Sequence, residues 1–217
     1  MEQIKYYMAP MEGVTGYVYR NAYAKYYGGI ERYFTPFVAN KKLGHREKND
    51  VCPEHNAGMA VVPQILTNRA EDFLAIAEIL REYGYDTVNL NLGCPSGTVA
   101  ARGRGAGFLA MPDELDHFLE EIFEKCPLRI SIKTRIGKEN PAEWERLLAI
   151  YEKYPLEELI VHPRVQTDFY KNRVNLEAFA LAEKNSRHSL CYNGDIVDAA
   201  SAAYIREDFP SVDKFMI

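Results

Sequence analysis

The sequence predicts an α/β protein, namely a (β/α)8 TIM barrel. Eight short apolar runs alternate with segments of helical spacing, and the nearly continuous apolar character of the runs is typical of parallel strands buried on both faces. This count and alternation favour a closed barrel, with an open doubly wound sheet as the alternative. The predicted strands are residues 6–11, 33–38, 60–66, 87–92, 129–134, 159–162, 190–193 and 214–217.

The segments between the strands predict helices, with one exception. Apolar residues within 115–123 recur at the i, i+3, i+4, i+7 and i+8 positions that bury one helix face. Asn68 and Glu71 have the spacing of a capping box, which predicts a helix start after the third strand. The tyrosines within 17–27 are interpreted as helix packing. Residues 40–58 are polar and weakly periodic, so we expect an irregular loop in place of most of the second helix.

The chain is expected to form one domain. Its 217 residues suffice for a single large core, whereas a complete barrel of this type has about 250 residues. The last predicted strand ends at residue 217 with no helix after it. We therefore expect residues 1–217 to be a barrel that is truncated after strand eight and lacks its final helix.

Charge and cysteine content narrow the possible functions. The formal net charge is −5, so any nucleic-acid contact would depend on a local basic surface. The cysteines have no close pairs, no cationic and apolar leader opens the chain, and no apolar run approaches the roughly 20 residues of a membrane span. These features predict a cytoplasmic protein that does not enter a membrane. Cys52 and His55 have no second ligand pair at usable spacing, so no metal site is expected.

Polar residues follow most of the predicted strands, at the edge where a parallel barrel carries its working face. Residues 89–95, Asn-Leu-Asn-Leu-Gly-Cys-Pro, bring two amides and the Cys94 thiol to this edge. The glycine-rich residues 103–107 predict a mobile loop beside that thiol. The candidate site residues are Pro10, Met11, Glu12, Gln64, Asn91, Cys94, Lys133, Arg135, His162, Arg164, Asn193, Gly194 and Asp195.

These residue types suit a flat, phosphorylated redox cofactor. Lys133 stands within an apolar strand, where an anionic partner would offset the cost of removing its charge from water. An amide such as that of Asn91 can hold the edge of a ring. An unperturbed thiol, with a pKa of about 8.5, is mostly protonated at neutral pH, which suits Cys94 to proton donation. Residues 193–195 end the seventh strand, a common phosphate-binding position in barrels.

Four motifs together resemble the tRNA-dihydrouridine synthases, FMN-dependent enzymes that reduce uridine in tRNA. The resemblance covers the chain from about residue 6 to its end, through residues 9–15 (Ala-Pro-Met-Glu-Gly-Val-Thr), 89–95, 133–137 (Lys-Thr-Arg-Ile-Gly) and 193–195. It implies reduction of uridine to 5,6-dihydrouridine with NADPH as reductant and tRNA as partner, with Cys94 protonating uracil C5.

The resemblance also implies roles for the other candidates. Asn91 would hold the target uracil. Arg135 and Arg164 are further candidates for substrate binding, because they are basic residues on the same face. The implied FMN contacts are Pro10, Met11 and Glu12, chiefly through the backbone, with Gln64, Lys133, His162, Asn193, Gly194 and Asp195.

The chain departs from the family pattern at several positions. His162-Pro163-Arg164 replaces the usual His-Gly-Arg, and Tyr170-Lys171-Asn172 stands where Tyr-x-Gly is common. Family members continue past strand eight with a Gly-Arg turn for the FMN phosphate and a helical tRNA-binding domain, and we expect this chain to lack both. Two alternatives therefore stay open: a flavin barrel that acts on a free pyrimidine, as dihydroorotate and dihydropyrimidine dehydrogenases do, and a catalytically incomplete RNA-binding fragment.

Overall fold

The structure is a computed structural model that describes residues 4–217, and it confirms the α/β TIM-barrel prediction. All strand pairings are parallel, in the order β3-β2-β1-β9-β8-β7-β6-β5-β4. The two end strands follow each other along the chain, so the sheet is a nearly closed barrel. The strands are β1 Lys5–Met8, β2 Ile30–Phe34, β3 Val61–Val62, β4 Gln64–Ile65, β5 Thr87–Leu92, β6 Arg129–Arg135, β7 Leu159–His162, β8 Leu190–Asn193 and β9 Lys214–Met216.

Nine strands replace the eight predicted ones because Pro63 divides the third. Proline has no backbone N–H to donate to a ladder, so the strand is interrupted there. The Pro63 carbonyl still accepts from the Asn89 N–H at 2.9 Å, which continues the barrel wall across the break. β9 pairs with both β1 and β8, so the last predicted strand takes its place between them.

The helices surround the sheet and are α1 Tyr17–Tyr26, α2 His45–Val51, α3 Ala70–Glu82, α4 Gly97–Ala100, α5 Pro112–Lys125, α6 Glu143–Tyr151, α7 Leu176–Asn185 and α8 Ala199–Asp208. Short 3-10 turns cover Pro53–Asn56, Gly105–Ala110 and Gln166–Asp168. The larger apolar core lies between sheet and helices, as the periodicity predicts, and a smaller one fills the barrel interior. Among the described residues, no helix is both long and apolar enough to cross a membrane.

The prediction of an irregular loop over residues 40–58 is wrong. This segment contains α2 and the turn Pro53–Asn56. A buried polar network holds them, because Arg20 donates to the Asp50 carbonyl at 2.6 Å and to the Asn56 side chain at 2.8 Å. A helix that is held by buried hydrogen bonds does not need regularly spaced apolar residues, so its sequence lacks the pattern from which helices are predicted.

Two smaller predictions also fail. The Asn68 side chain donates to the Arg102 carbonyl and does not cap α3, whose first residue is Ala70. Helix packing does not describe the tyrosines at the end of α1, since Tyr26 and Tyr27 are 71% and 79% exposed. Arg20 is the one buried side chain of α1, while Tyr17 is half-buried and stacks on His55.

Candidate active site

A cavity of about 400 Å³ opens at the carboxyl ends of the strands. It brings together most of the predicted site residues from β1, β4, β5, β6 and β7 or the loops that follow them. The predicted residues that line it are Pro10, Met11, Glu12, Gln64, Asn91, Cys94, Lys133, Arg135 and His162. Arg164 and residues 193–195 lie outside this lining.

Lys133 on β6 presents its ammonium to the cavity. Burial lowers the pKa of this amine to about 8, and the nearby Arg135 charge acts in the same direction. Among residues 4–217, no carboxylate forms an ion pair with Lys133. The cavity therefore contains a partly desolvated cation that an anionic or electron-rich ligand would stabilise.

His162 at the end of β7 is a neutral imidazole. Burial and the positive charges of Lys133, Arg135 and Arg164 lower its pKa to about 2. Its Nε2 lies 3.0 Å from Arg164 Nη1. Because a guanidinium can only donate, Nε2 accepts and the ring proton lies on Nδ1. His162 can therefore donate a hydrogen bond from Nδ1 but is not an acid at neutral pH.

Direct substrate binding by Arg164 stays a prediction, and the hydrogen bonds of its side chain do not favour it. Its side chain is 4% exposed and is held by the protein itself. The guanidinium donates to the Asn172 carbonyl at 2.6 Å and to both carboxylate oxygens of Asp195 at 2.9 and 2.6 Å, besides His162. Arg164 thus fixes His162 and Asp195 in place.

The turn of residues 193–195 lies beside His162, but its Gly194 and Asp195 line a second cavity of about 560 Å³. Asn193 donates to the Met216 carbonyl at 2.8 Å, and Asp195 pairs with Arg164. Gly194 has φ +152°, and a Cβ there would lie 3.0 Å from the Val174 side chain, so glycine is required at this close approach. A phosphate contact from this turn stays a prediction.

Cys94 is held on a tightly packed turn. The Asn91 side-chain oxygen accepts from the N–H groups of Gly93 and Cys94 at 3.0 and 2.9 Å. The Cys94 carbonyl accepts from the Ala106 N–H at 3.1 Å. The prediction of a mobile loop over residues 103–107 is wrong, because Gly105–Ala110 is a largely buried 3-10 turn whose Gly105, at φ +55°, packs directly on Cys94.

Arg135 connects the Cys94 turn to the loop after β7. It donates to the carbonyls of Gly93, Val165 and Phe169 at 3.0, 2.9 and 2.7 Å. These bonds use three of the five guanidinium N–H groups, so two remain for a ligand. Arg135 is only 1% exposed, but unlike Arg164 it lines the cavity, so substrate binding by Arg135 stays a prediction.

The turn after β1 has little free backbone for a cofactor. The Met11 N–H donates to the Thr15 hydroxyl at 2.7 Å, and the Met11 carbonyl accepts from the Val14 and Thr15 N–H groups. Contacts chiefly through the Met11 backbone are thus not supported, whereas its side chain, 55% exposed, lines the cavity. Glu12 forms an ion pair with Arg46 at the rim.

Sequence reasoning missed three aromatic residues of the cavity, Phe37, Phe169 and Tyr170. The Tyr170 ring lies 5.3 Å from the Arg135 guanidinium and 6.0 Å from the His162 ring. Phe169 has φ +51°, a conformation that is uncommon outside glycine. For Phe169 and Tyr170 the sequence signal was an adjacent aromatic pair in the loop after a strand.

The fold and the cavity define a TIM-barrel protein with a cysteine and a lysine at the carboxyl ends of adjacent strands. The model of the dihydrouridine synthase (Dus) family matches residues 7–217, and the chain belongs to this family. It is 26% identical to tRNA-dihydrouridine synthase B of Pasteurella multocida over 216 residues, which cover 97% of this chain and 64% of the relative. It is also 26% identical to probable tRNA-dihydrouridine synthase 2 of Bacillus subtilis, with 97% and 66% covered. The chain thus spans somewhat less than two thirds of these relatives.

Solved structures support the fold alone. The chain superimposes on a morphinone reductase variant in complex with tetrahydroNAD with a TM-score of 0.65 and 12% identity, over 98% of this chain and 82% of that one. It matches a variant of NCR from Zymomonas mobilis with a TM-score of 0.63 and 13% identity, over 98% and 81% of the two chains. Both likenesses agree with the TIM barrel described above.

Proposed function

We propose that residues 1–217 are the FMN-binding catalytic domain of a tRNA-dihydrouridine synthase, and that the tRNA-binding helical domain lies outside them. The reaction is the reduction of uridine to 5,6-dihydrouridine in tRNA, with NADPH as the reductant. Membership of the family and the names of the relatives support this proposal. The observation that carries it is the single cavity that contains both the Lys133 ammonium and Cys94.

The residues present fit a flavin. Among the described residues, the Lys133 cation has no anionic partner. A flat ring with an electron-rich edge, such as that of a flavin, would supply one. The Gln64 amide and the neutral His162 offer hydrogen bonds to such an edge, and the Met11 side chain supplies an apolar contact. When bound, FMN supplies the hydride that NADPH provides.

Cys94 supplies the proton in this proposal. Its position on a fixed turn keeps Sγ at the cavity wall, where the S–H proton passes to uracil C5 and water later returns a proton to the thiolate. Lys133 stabilises the negative charge that develops on the ring system. Asn91 and Arg135 have N–H groups left to hold the uracil carbonyl oxygens.

The test measures dihydrouridine by mass spectrometry in tRNA prepared without modification, after incubation with the chain, FMN and NADPH. We expect Cys94→Ala to lose about 100-fold or more of the rate, the usual size of a general-acid contribution. Cys126→Ala is the matched control, because this thiol lies at the end of α5, away from the cavity.

Three outcomes would contradict the proposal. Equal rates for the two variants would remove Cys94 as the proton donor. Reduction of free uracil or oxidation of dihydroorotate, with no product in tRNA, would favour the free-pyrimidine alternative. Salt-dependent tRNA binding by a chain that takes up no flavin would favour the RNA-binding alternative.

A further inference from the structure

A chain of buried side-chain hydrogen bonds runs through the barrel wall to Cys94. Gln64 Nε2 donates to Asn89 Oδ1 at 2.7 Å, and Asn91 Nδ2 donates to Gln64 Oε1 at 2.7 Å. Asn89 Nδ2 donates to the Ser131 hydroxyl at 2.9 Å, which in turn donates to the Val88 carbonyl at 3.3 Å. We call these four side chains, Gln64, Asn89, Asn91 and Ser131, the amide relay.

The amide relay has only one consistent direction. Asn91 Oδ1 accepts from the N–H groups of Gly93 and Cys94, so its Nδ2 must face Gln64. Gln64 must then present Oε1 to Asn91 and Nε2 to Asn89, which leaves Asn89 Nδ2 to find an acceptor in Ser131. Turning any one amide would place two donors or two acceptors against each other.

The burial of the relay makes a reversed amide costly. Gln64 and Asn89 are fully buried, Ser131 is 1% exposed and Asn91 is 7% exposed. An unpaired polar group in such a position loses its hydrogen bonds to water without replacement. The relay is therefore held in its single direction from both ends. The N–H groups of Gly93 and Cys94 fix Asn91 directly, whereas Asn89 and Ser131, which do not line the cavity, fix the Gln64 amide against which Asn91 packs.

We propose that Asn89 and Ser131 are positioning residues that fix the orientation of Gln64 and Asn91, and through them the Cys94 turn.

The relay also limits the hydrogen bonds that Asn91 can offer to a ligand. Both lone pairs of Asn91 Oδ1 are used, so Asn91 can offer the cavity only its remaining Nδ2 hydrogen. The relay thus makes Asn91 a donor only, suited to a carbonyl oxygen of a planar ring. The ligand class rests on the proposed function, whereas the control of the Cys94 turn does not.

The test compares two substitutions of Asn89. Asn89→Asp retains an oxygen that accepts from Gln64, and its second oxygen can accept from the Ser131 hydroxyl, so the relay keeps its direction. Asn89→Leu has similar volume but removes the acceptor of Gln64 and frees the amide to turn. Thr134→Val is a control for the loss of a buried hydroxyl outside the relay, because Thr134 on the same strand as Ser131 contacts Tyr151.

The readout is the alkylation rate of Cys94 by iodoacetamide between pH 6 and 10, resolved from the other cysteines by peptide mass spectrometry, without flavin or RNA. We expect Asn89→Leu to raise this rate about fivefold or more, the factor of one net hydrogen bond. Asn89→Asp and Thr134→Val should stay within about twofold of wild type, although a buried carboxylate makes Asn89→Asp the less stable Asn89 variant.

Two results would overturn the inference. One is a folded Asn89→Leu protein whose Cys94 reacts at the wild-type rate. The other is a rate in all variants that simply follows their loss of melting temperature. If Asn89→Leu does not fold, Ser131→Ala takes its place, with the same direction expected. Because no flavin or tRNA is present, a failure here is separate from a failure of the uridine reduction assay.

Discussion

At Lys133, burial in the protein disfavours the charged form of the amine. The amine is kept at the cavity although burial lowers its pKa to about 8, from an ordinary value of 10.5. A lysine in such a strand was recognised from the sequence, because its neighbours are apolar and a charge there requires a reason. The bonds of Arg135 and Arg164 to backbone and side-chain acceptors could not be predicted, because they depend on loops that meet only in the fold.

The lowered pKa of Lys133 predicts a pH-dependent stability. Between pH 8 and 10.5 the unfolded chain holds a proton on this lysine that the folded chain has lost, so this group raises the free energy of unfolding as pH rises. Lys133→Met removes the effect. In urea titrations, the free energy of unfolding of Lys133→Met should exceed that of wild type by the largest amount below pH 8, and this difference should shrink toward pH 10.5. A difference that is constant across this range would show that the amine is not desolvated as described.

At the scale of elements, the strands were predictable and the loop structures were not. Apolar runs identify a buried parallel strand locally, whereas Gly105–Ala110 is held by contacts with α4 and the Cys94 turn. Likewise α2 depends on Arg20 from another element. A single sequence gives no local signal for such long-range polar contacts. The glycines of residues 103–107 signalled close approach, and the wrong step was to read them as mobility.

Close packing of the 3-10 turn predicts a large effect at Gly107. A Cβ at this position would lie 2.6 Å from Ala100 Cα, so Gly107→Ala must displace the backbone of α4 or of the turn. We expect a loss of about 1–3 kcal/mol in the free energy of unfolding, measured by urea denaturation. Gly97→Ala is the matched control, since nothing lies within 4 Å of its Cβ position and it should be neutral or slightly stabilising. Equal stabilities of the two variants would contradict the packed turn.

At the scale of the whole molecule, the barrel converts separate strand ends into one cavity. The sequence predicted this convergence for the residues from β1, β4, β5, β6 and β7, because the carboxyl ends of parallel strands share one face. It did not predict that Gly194 and Asp195 line a second cavity, since that depends on how the turn bends after β8. The central claim is that the cavity lined by Cys94 and Lys133 binds a flavin.

The most direct test is a titration of the purified chain with FMN, followed by the visible absorption and fluorescence of the flavin. We predict saturable binding at one site and a clear loss of affinity in Lys133→Met at pH 7, with Lys42→Met, an exposed lysine outside the cavity lining, as an unchanged control. Binding to wild type should also weaken as the pH rises above about 8, where Lys133 loses its charge. No saturable binding, or equal affinity in Lys133→Met and wild type, would contradict the claim.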